Sequence, residues 1–309
     1  MILLSFNYRG LASQPKKLAF KHLVHSYNPD VIFLPETMGK SEDVICSLQK
    51  LLPGWVFTAL DASGRSGGVA TGFNSRKLKE VSSWGSAKCL AMELYSGELC
   101  IPILFLNIYG PCMEREIFWN SFFNLSCLSH PNLIIGGDLN FSLGDSESWG
   151  VNAHSDPLLF FFRNKLASSH LVDAPLIKMR PTWRNRRIGA DWVGKRLDRF
   201  LLCESLVEWL PVFRHWVGEG GNSDHFPVLL ELKGTSGKPG IPFKFNSSWL
   251  KDASFEALFH DTWRKDNQHE EGSRSILFCN NLKRLKKATK EWAKQRNLKE
   301  EEELKSINF

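Results

Sequence analysis

Asp224 and His225 stand side by side in GGNSDHFPVLLEL, residues 220–232, where a small polar turn gives way to an apolar run. Adjacent side chains of an extended chain face opposite sides, so these two are poorly placed to pair with each other. A histidine working as a base needs an orienting carboxylate from elsewhere. RLDRFLLC offers one, because Asp198 is alone in its apolar run. A carboxylate inside a buried strand is costly unless it is paired. An Asp198–His225 pair satisfies both groups; a purely structural ion pair or an edge position for Asp198 is the alternative.

Other apolar runs also end on a single polar residue. GGDLN, 136–140, follows NLII and sets Asp138 and Asn140 two apart, on one face of an extended chain. Its paired glycines let backbone or substrate approach closely. A carboxylate with an amide suits a hydrated metal or a phosphate oxygen, and Gly-Gly-Asp is equally an ordinary turn. Glu36 closes VIFLPE, as a solvated strand end or as a ligand at a sheet's rim. Asn7 closes MILLSF, where an amide is usually a turn former. Tyr109 precedes the Gly-Pro turn of NIYGP, as a half-buried packing residue or a phenol aimed at a phosphate. Open sheets bind ligands outside strand ends. Carboxylates and amides suit a hard, oxygen-liking cation such as Mg²⁺.

Positioning these groups requires many short strands. MILLSF, VIFLPE, WVFTAL, GGVATGF, IPILFLNIY, NLIIGGDLN, RLDRFLLC and FPVLLEL are all of strand length. Helical spacing lies between some of them. KKLAFKHLVHSY places Leu18, His22 and Leu23 near one face, and EREIFWNSFFNLSCL places Ile117, Phe118, Phe122 and Leu125 on one. SDPLLFFFRNKLASSHLV predicts a helix capped by Ser155 or Asp156, with Pro157 in its first turn. The interleaving predicts an α/β fold of buried sheets with helices outside. Gly, Ser and Pro cluster at GTSGKPGIP, 234–242, as in a linker. The expected domains are therefore 1–235 and a helical extension, 236–309. In the extension, DASFEALFHDTWRK predicts a helix capped at Asp252 or Ser254, with Phe255, Leu258, Phe259 and Trp263 on one side. Phe278, Leu282, Leu285 and Trp292 form a sparser stripe.

The 309 residues are 43% hydrophobic and 23% charged, enough apolar material for a real core. No run reaches the ~18 apolar residues that span a bilayer, and no basic region precedes MILLSF as in a signal peptide. The 7 cysteines are scattered and form no CxxC pair, which predicts free thiols in a reducing compartment, nuclear or cytoplasmic. Net charge is +6. Residues 178–199 hold eight basic side chains against Asp191 and Asp198, a phosphate-facing patch or a solvated loop.

In order, SFNYRG, LPET, NIYGP, GGDLN, RLDR and NSDH resemble the endonuclease/exonuclease/phosphatase superfamily, which has the DNase-I-like fold. NYRG, PTWRNRR at 181–187, RLDRFL and NSDHFPVLL are most similar to the endonuclease domain of plant LINE-type (non-LTR) retrotransposon polyproteins. PFKFNSSWLKDASF resembles the segment that follows it there. Phe6 and Tyr8 depart from the pattern, where relatives often have Trp and Cys. No Tyr/Phe-Ala-Asp-Asp reverse-transcriptase signature is present, as in a truncated element or an excised fragment.

The resemblance implies a four-layer sandwich of two packed mixed β-sheets flanked by helices, with the site at one end. It implies Glu36 as principal ligand of Mg²⁺, or of Mn²⁺, with Asn7 and Asp224 nearby. It implies His225 as the reacting histidine, Asp198 as its orienter, Asp138 as the group that positions or deprotonates water, and Tyr109 and Asn140 as phosphate contacts. Thr182, Arg184, Arg186, Arg187, Arg9 and Ser223 become the expected contacts to the DNA backbone. The implied reaction nicks DNA and leaves a 3′-hydroxyl. A phosphoesterase acting on a small inositol or lipid phosphate, and a silent nucleic-acid-binding remnant, are the alternatives. No feature of the sequence sets an oligomeric state.

Overall fold

VIFLP and DRFLLC are buried at every position. Strands of that kind are covered on both faces, so the sheets must lie inside and the helices outside. The computed structural model describes residues 1–10, 13–63, 66–86, 88–210, 212–220, 223–233, 247–264 and most of 281–296. It divides into two units, Met1–Ile241 and Pro242–Phe309.

The strands of the first unit are β1 (Ile2–Ser5), β2 (Val31–Pro35), β3 (Trp55–Ser63), β4 (Ser66–Asn74), β5 (Leu78–Ser86), β6 (Cys89–Ser96), β7 (Ile101–Tyr109), β8 (Leu133–Asp138), β9 (Ser148–Trp149), β10 (Leu171–Asp173), β11 (Trp183–Arg184), β12 (Gly194–Lys195), β13 (Asp198–Cys203), β14 (Val212–Val217) and β15 (Val228–Lys233). Its helices are α1 (Gln14–Tyr27), α2 (Ser41–Leu51), α3 (Arg115–Phe123), α4 (Leu159–Ser168) and α5 (Glu204–Trp209). One sheet runs β14-β15-β1-β2-β4-β3, the other β10-β13-β8-β7-β6-β5, and β11-β12-β9 is a small third. Each large sheet has one parallel pair at its centre, β1 with β2 and β7 with β8. A helix makes each crossover, α1 in the first and α3 in the second. The first unit is thus a four-layer α/β sandwich.

Between the sheets Phe33 meets Phe105 and Phe200, with ring centroids 6.2 and 6.1 Å apart. Asn107 stitches the sheets with a polar link, donating to the Ala70 carbonyl at 2.8 Å. Outside, Phe20 and Val24 of α1 and Leu48 of α2 cover one sheet, and Trp119, Phe122 and Phe162 of α3 and α4 cover the other.

Three helical expectations change. In α1, Leu18 and His22 are exposed and the buried face is Phe20 and Val24. In α3, Ile117 is exposed, Leu125 lies past the helix end and is also exposed, and Trp119 and Phe123 join Phe122 inside. Both sheet-facing stripes centre on large aromatics rather than on the aliphatic residues. α4 starts at Leu159, past Ser155, Asp156 and Pro157. The Asp156 carboxylate serves other donors: Arg115 and the backbone N–H groups of Ser142 and Leu158.

The second unit contains α6 (Ala253–Arg264), in which Phe255 is buried and Leu258, Phe259 and Trp263 are half-buried. Asp252 precedes it and accepts the Ser254 N–H at 2.9 Å. Leu282, Leu285 and Trp292 are helical, whereas Phe278 and the 234–242 linker lie outside the described residues. The described cysteines are all free. Among the described residues no helix is long and apolar enough to cross a membrane.

Candidate active site

The two parallel strand pairs bring their carboxyl ends to the same end of the sandwich. β1 and β2 deliver Asn7 and Glu36 just past their last residues, and β8 ends on Asp138. β13 runs antiparallel to β8 and starts there, with Asp198 directly opposite Asp138. His225 arrives on the turn before β15, bridged to Trp183.

A continuous chain of polar contacts results. Asp198 Oδ2 lies 2.9 Å from His225 Nδ1. His225 Nε2 is 3.6 Å from Asp138 Oδ2. The Asn7 amide Nδ2 donates to Asp138 Oδ2 at 2.8 Å and to Glu36 Oε2 at 2.9 Å. All five side chains are buried. Unpaired, such groups would cost several kcal/mol, on the order of 1–3 each even for uncharged ones. The chain of bonds is what makes their burial tolerable.

Backbone conformation shows the same concentration. Arg9, Glu36, Met38 and Asn140 have φ of 50°, 56°, 57° and 52°. Non-glycine residues in the left-handed region cost about 1 kcal/mol or more each and persist where surrounding bonds hold them. Here the Asn7 Oδ1 accepts the Arg9 N–H at 3.1 Å, and the Glu36 carbonyl accepts the Gly10 N–H at 3.0 Å. Asn140 donates from its side chain to the Gly110 carbonyl at 2.7 Å.

Above this floor opens a cleft of ≈ 730 Å³, lined in part by Arg9, Glu36, Tyr109, Asp138, Asn140 and His225. Burial, and then the charges of Glu36 and Asp138, push the Tyr109 phenol upward. Burial, opposed by His225 and reinforced by Asp198, raises Asp138 to about 7. Burial alone would lower His225, but Asp198 and Asp138 overcome it and raise it to about 9.

Asp224 is held from the other side. Arg9 Nη1 donates to its Oδ2 at 2.8 Å and Trp183 Nε1 at 3.2 Å. Arg9 Nε also lies 3.8 Å from Glu36 Oε2. Glu36 and Asp224 therefore flank one guanidinium, and their oxygens have the hardness a divalent cation prefers. Asp138, Asp198 and His225 also bring ligand atoms within 4.8 Å of one another. Asp198 Oδ2 is taken by His225 Nδ1, so that trio suits proton handling better than a metal.

Two residues expected on the DNA lie inside, and Asn7 joins the carboxylates. Asn7 offers its NH₂ to both carboxylates and its oxygen to the Arg9 backbone N–H, and so links Glu36 to Asp138. Thr182, expected on the DNA, is fully buried, and its Oγ1 accepts the Leu197 and Asp198 N–H groups, both at 2.9 Å. It fixes the start of β13, and so Asp198. Ser223 is also buried, donating to the Asn7 carbonyl at 2.7 Å and accepting the His225 N–H at 3.2 Å.

The basic stretch divides. Arg184, Arg186 and Arg187 are exposed, Arg184 lying 5.1 Å over the Phe226 ring. Arg196 and Arg199 point inward to Glu147 and Asp173, with contacts of 2.7 to 3.2 Å. Trp183, Lys195 and Arg115 also line the cleft. Trp183 was missed because Thr182 was expected to face the DNA, which by strand alternation turns the indole inward.

One further titrating group lies in the core. His215 is buried, and its Nδ1 donates to the Ala174 carbonyl at 2.8 Å. Burial, then Arg196, depresses it to about 3. The fold therefore holds it neutral, contributing stability above pH ~6.5 that is lost as pH falls toward 3, at up to about 1.4 kcal/mol per pH unit. Asp138 acts with the opposite sign over part of that window. The comparison with His215→Asn, which can keep the bond to Ala174, isolates the histidine. Urea unfolding should show the wild type losing stability relative to the variant between pH 6.5 and 5.

Residues 3–225 match the Endonuclease/Exonuclease/phosphatase family. No curated protein matches the sequence. Among solved structures, the endonuclease domain of TRAS1, a telomere-specific non-LTR retrotransposon, superposes with a TM-score of 0.58 at 15% identity, covering 75% of this chain and 97% of that one. The AP endonuclease LMAP from Leishmania major gives 0.60 at 17% identity, covering 76% and 88%. A mannosyl-6-phosphatase from Bacteroides thetaiotaomicron gives 0.52 at 14% identity, covering 75% and 99%. At these identities the likeness is one of fold.

Proposed function

We propose, for a chain that belongs to the endonuclease/exonuclease/phosphatase family, that the phosphoester it hydrolyses is the backbone of DNA, nicked to leave a 3′-hydroxyl as a LINE-type retrotransposon endonuclease does. One observation carries this reading: the Asp198–His225–Asp138–Asn7–Glu36 chain forms the floor of a wide cleft whose surroundings are cationic. Arg187 and Lys195 line the cleft, and Arg184 and Arg186 are exposed beside Arg187 in sequence. A polyanion suits such a surface better than a small monoester does. The likeness in fold to a retrotransposon endonuclease domain and the NYRG, PTWRNRR and NSDHFPVLL motifs support it further.

Glu36 and Asp224 are the residues that would hold Mg²⁺ or Mn²⁺. When bound, the cation polarises the phosphoryl oxygens and steadies the leaving oxygen. The chain's own residues do the rest. Asp198 fixes the His225 ring so that Nε2 faces the cleft beside Asp138. These two form the proton-handling pair for an attacking water, a contribution of typically ~10²–10⁴-fold. Asn7 keeps Asp138 and Glu36 in register. Tyr109, paired with Asp138 across β7 and β8, and Asn140, two residues past Asp138, also line the cleft, where they would meet phosphate oxygens.

The test is nicking of supercoiled plasmid by the full chain in Mg²⁺, with EDTA and a soluble sugar phosphate as parallel arms. Open-circle product that disappears with EDTA is the expected result. A folded protein that releases phosphate from the sugar and leaves plasmid intact would overturn the reading. DNA binding is expected to weaken steeply with salt. Replacing Arg184, Arg186 and Arg187 together by alanine should reduce the slope of log K against log[salt] by roughly 2–3, about 0.9 per lost phosphate contact. Fluorescence anisotropy across a salt series measures it, and an unchanged slope removes these arginines from the interface.

A further inference from the structure

Arg9 occupies an unusual place. Its guanidinium lies between the two carboxylates assigned to the metal, 2.8 Å from Asp224 Oδ2 and 3.8 Å from Glu36 Oε2. Those partners are largely buried, with side-chain exposures of 14% and 8%, while Arg9 itself is 51% exposed. The arginine is thus the outer, solvent-facing member of a charge trio whose inner members are fixed.

Its backbone, in contrast, is pinned. The Asn7 side chain accepts the Arg9 N–H, and Lys16 Nζ donates to the Tyr8, Arg9 and Gly10 carbonyls at 3.1, 3.0 and 3.3 Å. The Tyr8 hydroxyl returns a bond to the Lys16 carbonyl at 3.0 Å. The backbone at Arg9 is thus held in place while its side chain can change rotamer. The side chain stands on the ridge between the cleft and a second cavity of ≈ 540 Å³ beside α1 and α2. It can leave the carboxylates by rotamer change without disturbing Asn7.

We infer that Arg9 is a built-in counter-ion that competes with the divalent cation for Glu36 and Asp224 and yields to it when a DNA phosphate draws the guanidinium away. The inference rests on the assignment of Glu36 and Asp224 to the metal, and it adds a regulation of that site. A guanidinium and a divalent cation repel, and both neutralise the same two carboxylates. Metal binding therefore expels Arg9 or pays for its presence. A phosphate diester offers Arg9 a replacement partner of the same charge sign as the carboxylate it gives up. Metal and DNA then bind with positive coupling, and the coupling is reciprocal. The cation is held weakly until substrate arrives.

The experiment is a Mn²⁺ titration of the full chain, followed by the free-ion electron paramagnetic resonance signal, with and without a short DNA duplex. All arms carry His225→Ala so that the duplex stays intact. Arg9→Asn removes the charge, and asparagine tolerates the left-handed backbone at this position better than other residues. Arg9→Lys keeps the charge and serves as the second variant. Without DNA, Arg9→Asn should bind Mn²⁺ about tenfold more tightly than the parent, and DNA should tighten Mn²⁺ binding by a similar factor in the parent but not in the variant, a coupling of ordinary size. Arg9→Lys should stay near the parent. Equal or weaker Mn²⁺ binding by Arg9→Asn, or equal coupling to DNA in both, overturns the inference while the metal assignment stands. Absence of Mn²⁺ binding in every protein overturns both.

Discussion

His225→Ala is expected to slow plasmid nicking by roughly 10²–10⁴-fold, the usual worth of a positioned acid–base group. The imidazole stands between two carboxylates, 2.9 Å from Asp198 Oδ2 and 3.6 Å from Asp138 Oδ2. Its removal takes one member of the proton-handling pair and leaves Asp138, whose Oδ2 is bonded to Asn7. Asp198 is fully buried and reaches the cleft only through the imidazole. Removing the ring also leaves the Asp198 carboxylate without its partner, so urea unfolding must accompany the rate measurement. Asp198→Asn separates the two effects. It keeps the shape of the side chain but withdraws the charge that raises His225, so its loss in rate should be smaller and should vary with pH. A folded His225→Ala protein that nicks at the parental rate would remove the histidine from the reaction.

The largest effect on stability is expected at Arg199. Arg196 and Arg199 have side-chain exposures of 2% and 0%, and they face Glu147 at 6% and Asp173 at 20%. Arg199 also donates to the Phe141 and Arg196 carbonyls at 2.9 Å each. The cluster is neutral only as a whole. Arg199→Met leaves a buried carboxylate uncompensated, a loss of about 3–5 kcal/mol. That is a large share of the ~5–15 kcal/mol that holds a typical domain folded. Adding Glu147→Leu restores neutrality and should recover most of the loss, because apolar replacements of buried ion clusters are often neutral or stabilising. Urea midpoints of the single and double variants measure both. A single variant within 1 kcal/mol of the parent would mean the cluster is wetter than its exposures indicate.

Much of this was readable from residue order, and the unread parts have physical reasons. The eight apolar runs all lie on strands, because a strand buried on both faces announces itself as an unbroken apolar stretch. β5, β6 and β14 went unseen, with the short strands β9 to β12. LKEVSSWGS is a mostly exposed edge strand, CLAMELYS is interrupted by Glu93, and VFRHWV carries a histidine and an arginine. The Asp198–His225 contact followed from the cost of a lone buried carboxylate. The same logic, applied to Glu147 and Asp173, would have found partners for Arg196 and Arg199. Instead, the density of basic residues in 178–199 suggested one solvent-facing patch. Density along a chain does not report which way a side chain points. Thr182 and Ser223 were misplaced for a similar cause: a hydroxyl near a reacting group can bond backbone as readily as phosphate.

The order of strands also dictates when the protein can exist at all. β1 is hydrogen-bonded on one side to β2 and on the other to β15, with Ile2 opposite Glu231. On the ribosome, the first strand waits for the last one for roughly ten to fifty seconds at about 5–20 residues per second. During that interval ILLS has one open edge, a template for pairing with another chain. Within the first unit, β1 is thus the strand that waits longest for its second neighbour. Yield of folded protein should depend on translation speed and on chaperones that shield nascent strands more than on the strength of the finished core.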